Sequence, residues 1–149
     1  MMQGGGQFYM LAMFAAGLAI PVMAGLNSNL GGRLGSPSLA TLILFTVALI
    51  VAATVVAIRR EPLSAGAELP PYLFLGGLVV AGYVLAMTYG APKIGIGNAV
   101  VLVLFGQLIC AALLDHFALI GAPENPITLK RLAGLCLIGS GVVLAVRPL

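Results

Sequence analysis

Lys93–His116 reads KIGIGNAVVLVLFGQLICAALLDH, and the reading of this stretch decides what kind of protein the chain is. From Ile94 to Leu114 no residue carries a charge. At about 1.5 Å per helical residue, that run crosses a hydrocarbon core of roughly 30 Å. Two amides, Asn98 and Gln107, lie inside it, and the titratable pair Asp115–His116 closes it. Lipid offers a polar side chain no hydrogen-bond partner, so such groups face other helices or a wet cavity. The stretch predicts a membrane-spanning helix that walls a polar path.

The rest of the composition agrees. Of 149 residues, 61% are hydrophobic and 7% charged, where a soluble domain carries about 25% charged residues. This is the composition of an integral membrane protein in a lipid bilayer. Twenty glycines and no tryptophan suit helices that approach one another backbone to backbone. The net charge of +3 does not point to nucleic acid, because the basic residues stand singly or in pairs at helix ends. Cys110 and Cys136 fall in apolar runs without a spacing motif, which predicts packed thiols and no metal or other cofactor. The N-terminal MMQGGGQFYM lacks the basic region of a signal peptide, so the first helix is expected to be retained.

Five helices are predicted, over 8–30, 39–58, 72–89, 94–114 and 128–146, as a single membrane domain spanning 1–149. The first is apolar to Leu26, carries Pro21, and leads into the polar run Asn27–Arg33; a kink is expected near Gly17. The depth of Asn27 is left open, since the helix can extend past it. The second, Leu39–Ile58, has only Thr41, Thr46 and Thr54 as polar groups, whose hydroxyls can bond their own helix carbonyls. Pro70-Pro71 opens the third, Tyr72–Tyr89, in which Tyr83 lies deep enough to need a partner. Gly90–Lys93 reads as the connection to the fourth, and Phe117–Asn125 as loop. Thr128 is a plausible N-cap for the fifth. Its apolar part, Leu132–Val146, is short for a span, and Lys130, Arg131 and Arg147 can snorkel to make up the difference.

Gly25-Leu26-Asn27-Ser28-Asn29-Leu30-Gly31, the Gly106-Gln107-Leu108-Ile109-Cys110 run leading to Leu114-Asp115-His116-Phe117, and Arg131–Leu135 with Gly141–Leu144 resemble the YdcZ-like family of the drug/metabolite transporter superfamily. The resemblance covers nearly the whole chain, and the Gln…Asp-His-Phe segment is its most specific part. It implies an all-α bundle that is half of the inverted repeat seen in ten-helix members, in the inner (plasma) membrane. The last helix also resembles the dimerising helix of the small multidrug resistance transporters. Here Gly134, Gly141 and Ala145 form one smooth seam. Helix one lacks the acidic residue on which those four-helix proteins rely, so their mechanism does not carry over.

The candidate substrate-binding residues are Gln107, Asn98, Asn27 and Tyr83. Gln107 lies about 180° round the helix from Asn98, so one amide can face a cavity while the other bonds a neighbouring helix. Asp115 sits at the wrong end of its helix dipole and needs a cation, for which Lys130 and Arg131 are placed. The alternative for Asp115–His116 is proton coupling. The reading is a small-molecule transporter, not an enzyme, acting by alternating access as an antiparallel homodimer or a heterodimer with a similar five-helix chain. The other reading is a non-transporting membrane partner or regulatory subunit.

Overall fold

A computed structural model of the chain describes residues 3–62 and 69–146, with side chains from residue 6 onward. All regular structure among the described residues is helical: α1 (Gln3–Leu34), α2 (Pro37–Arg59), α3 (Leu75–Ile94), α4 (Ile96–His116) and α5 (Leu129–Ala145), with 3-10 turns at Pro71–Phe74 and Leu119–Gly121. Gly6–Leu34, Pro37–Arg59, Pro71–Ile94 and Ile96–His116 are long and apolar enough to cross a membrane. The fifth helix has 17 residues, about 25 Å. Arg147, expected to extend its reach, lies outside the described residues.

Two compact units divide the chain, Met1–Lys93 and Ile94–Leu149. In the first, α1 packs along α2. Helix one runs beyond the expected end at residue 30 because its polar run is satisfied where it stands. Asn29 accepts from Arg33 one turn on, at 2.9 Å, and Asn27 faces inward. The helix stops at Gly35, whose φ of 64° places it in the left-handed region that glycine adopts without a Cβ clash. Its N–H bonds Gly32, and that of Ser36 bonds Gly31. Ser36 then caps α2 by accepting from Leu39 N at 3.2 Å, with Pro37 in the first turn. The helix-to-helix turn is thus closed by local bonds. Gly31 makes it tight: a Cβ there would lie 3.2 Å from Pro37 Cα and 3.4 Å from Thr88 Cγ2.

The Gly90–Lys93 connection expected from sequence is helical instead. Proline in the last turn of α3 removes one backbone donor, that toward Thr88, without stopping the helix. The break falls on Gly95, at φ 88°. In the second unit α4 packs on α5, and Thr128 caps α5 by accepting from Arg131 N at 3.2 Å. Gly139 admits the Phe105 ring, which lies 3.0 Å from where a Cβ would be. Beside this contact runs an apolar groove of about 300 Å³, lined by Phe105, Ile109, Leu132, Leu135 and Cys136 among others.

Gly31→Leu is expected to cost about 1–3 kcal/mol through overpacking, read as a lower unfolding midpoint in detergent. Gly32→Leu, which points into open space, should leave the midpoint near wild type. Equal effects of the two would remove Gly31 from the packing argument.

Candidate functional site

Three hydroxyl or amide side chains are buried inside the first unit: Asn27 of α1, Thr41 of α2 and Thr88 of α3. They meet. Asn27 Nδ2 donates to Thr88 Oγ1 at 2.6 Å, and Thr88 Oγ1 in turn donates to the Val84 carbonyl at 2.8 Å. Thr41 Oγ1 donates to the Pro37 carbonyl at 3.0 Å and lies 3.4 Å from Thr88 Oγ1. A hydroxyl has one proton, so the shorter contact is the bond and the longer one a supporting approach. Nearer the helix ends, Ser38 Oγ and Tyr89 Oη are 2.8 Å apart. The three helices are therefore joined by a ladder of uncharged polar groups. Asn27 also lines an open groove of about 360 Å³, whose other walls include Met23, Leu30, Ile43 and Val47.

Tyr83 and Ser28 complete the picture. Both hydroxyl oxygens are buried, and neither has a hydrogen-bond partner among the described residues. A buried hydroxyl left unpaired costs about 1–3 kcal/mol, so each is a position where water or a ligand group gains a bond. The sequence reading placed Tyr83 and Asn27 among the candidate residues but missed Thr88, Thr41 and Ser28. Thr41, Thr46 and Thr54 do bond their own helix carbonyls, and nothing in a sequence separates such a threonine from one that also receives a neighbour's amide.

In the second unit Asp115 has the expected cation. Arg131 Nη2 donates to Asp115 Oδ2 at 2.7 Å, with the two side chains about a third exposed, at 29% and 32%. Water reaches the pair, so its contribution is about 1 kcal/mol or less. The same end of the unit is held by three further bonds. Asn125 N donates to the Asp115 carbonyl at 2.9 Å, Ile127 N donates to His116 Nδ1 at 3.1 Å, and Arg131 Nη1 reaches the Asn125 carbonyl at 3.5 Å. An Nδ1 that accepts has no proton of its own, so the neutral ring carries its hydrogen on Nε2. Together these contacts clasp the end of α4 to the start of α5.

The remaining candidates separate. Asn98 is half-buried and engaged. Gln107 is exposed and lies on the side of α4 away from α5. Gly134 and Gly141 of α5 point about 140–160° round from Gly139, with no atom near where a Cβ would stand, and Ala145 is exposed beside them. The seam is open.

A double-mutant cycle on Asn27→Ala and Thr88→Val should give a coupling of about 0.6–2 kcal/mol, the range of hydrogen bonds between membrane helices. Unfolding in detergent measures it, and additive effects would mean that the 2.6 Å contact contributes no stability.

Comparison with curated proteins and with solved structures gives no match. A family model does: residues 8–144 match the one described as "Putative inner membrane exporter, YdcZ". That match takes in both polar clusters and all of α2, α3 and α4. The chain belongs to this family, and so to the multi-pass membrane transporters of the inner membrane and not to an enzyme class.

Proposed function

We propose that the chain exports a small molecule by alternating access, as two copies inserted in opposite orientations. The observation that carries the reading is the uncharged polar ladder Asn27–Thr88–Thr41, together with the unpaired hydroxyls of Ser28 and Tyr83 in the same unit. Helix glue needs its own bonds closed, whereas these hydroxyls leave bonding capacity unused in a protein of an exporter family. The cargo then takes hydrogen bonds from Asn27, Tyr83 and Ser28. Asn98, already engaged, supports α4.

Helix number and charge support opposed copies. With α5 spanning the membrane as the fifth helix, Lys130 and Arg131 reach the headgroups and the chain ends lie on opposite sides. Basic residues then divide four (Arg59, Arg60, Lys130, Arg131) against three (Arg33, Lys93, Arg147), the seven of the sequence. The positive-inside rule acts through such differences, and a difference of one hardly favours either orientation. Two opposed copies form the inverted repeat by which transporters expose a midplane site to each side in turn.

The test is the medium of cells expressing the chain. Wild type should accumulate at least one small molecule outside that cells carrying Asn27→Leu, at equal membrane abundance, do not. If Asp115 and His116 couple export to protons, Asp115→Asn removes the difference in export between acidic and alkaline medium. Identical media from wild type and Asn27→Leu would favour a non-transporting membrane subunit.

A further inference from the structure

We infer that two copies of the chain meet across the middle of α4, where the Gln107 amide of each bonds that of the other; this rests on the reading of the chain as an antiparallel pair. Gln107 is exposed in the second unit and makes no hydrogen bond among the described residues. It also lies at the middle of its apolar helix. Helix α4 runs Ile96–His116, so its midpoint is Gly106, and Gln107 is about 1.5 Å from it. An amide has two donors and an acceptor with two lone pairs, and hydrocarbon satisfies none of them. A partner must come from protein, cargo or water.

The rest of the helix narrows the choice. Phe105, Ile109 and Ala112 line the groove that α4 shares with α5, and Gln107 lies about 160–220° round from them. The stripe through Gln107 is otherwise apolar: Val100, Val103, Leu104, Ala111 and Leu114. Cargo bound there would meet a single polar group from α4. A second copy meets it with an identical amide, and two amides face to face exchange reciprocal N–H···O bonds. Depth supports the antiparallel arrangement. Inverting a helix about the membrane centre keeps a central residue at its own level, so two Gln107 side chains stay within about 3 Å in height. Asn98, about 12 Å from the midpoint, would be displaced from its copy by about 24 Å. The seam of Gly134, Gly141 and Ala145 makes no such demand, because small apolar residues pack against acyl chains without leaving a bond unmade.

Cysteine cross-linking in a background with Cys110 and Cys136 replaced by alanine tests this on the full chain in native membranes. A disulfide needs Cα atoms within about 7 Å. Val100→Cys should cross-link to Leu114→Cys when the two variants are co-expressed, because 100 and 114 are equally far from 107. Neither should cross-link to itself, and Gln107→Cys should. In detergent, with the rest of the chain unchanged, Gln107→Leu should weaken the dimer about 3- to 30-fold. Self-cross-linking of both Val100→Cys and Leu114→Cys would show a parallel pair and overturn the proposal. Cross-linking at Ile138→Cys of α5 with none on α4 would move the contact and overturn it, while leaving the pair itself standing. A monomer by light scattering, with no cross-link at any position, removes both.

Discussion

Hydrocarbon forms no hydrogen bonds, and the polar groups of this chain are arranged around that constraint. Its spans are so uniformly apolar that each buried hydroxyl or amide has to be met by something specific. Thr46 and Thr54 solve the problem locally, through their own helix carbonyls. Asn27 solves it across helices, through Thr88, and in doing so ties α1 to α3. The approach of the helices that makes this bond possible depends on Gly31, where no side chain separates α1 from Pro37 and Thr88. Sequence, packing and polar ladder are one device in the first unit.

The second unit uses the opposite strategy. There Asp115, His116, Asn125 and Arg131 clasp the end of α4 to the start of α5, and the apolar ring of Phe105 fits against Gly139. Acid and base are partly exposed there, so the clasp sits where water can screen it. The two units thus offer different chemistry. One holds buried, uncharged polar groups with spare hydroxyls. The other holds charged groups, whose bonds can exchange with solvent at modest cost.

Much of this was legible in the sequence, for physical reasons. A 61% hydrophobic chain admits few architectures, and helical spans follow from the need to pair every backbone group. The ion pair of Asp115 was legible too, because an acid at the negative end of a helix dipole requires a cation and Arg131 was within reach. Helix ends were harder. The polar run after Asn27 looks like a surface loop until its inward face is seen, and Gly90-Ala91-Pro92 looks like a turn although the positive φ of that region falls on Gly95. The partner of His116 is a backbone N–H from Ile127, and a backbone donor leaves no signature in the side chains. Thr88 was invisible for the reason given by Thr46: a helical threonine reads the same whether it bonds only itself or also a neighbour.

In the proposed arrangement one chain occupies both orientations. Single cysteines at Ser36, between α1 and α2, and at Glu124, between α4 and α5, are three helices apart, on opposite sides of the membrane in the proposed topology, and leave the basic residues untouched. In a background with Cys110 and Cys136 replaced, intact cells are labelled with a thiol reagent that does not cross the inner membrane. The account predicts that about half of each variant reacts, the even split expected when four basic residues balance three. Complete labelling at one position and none at the other, in protein expressed alone and active, would contradict it.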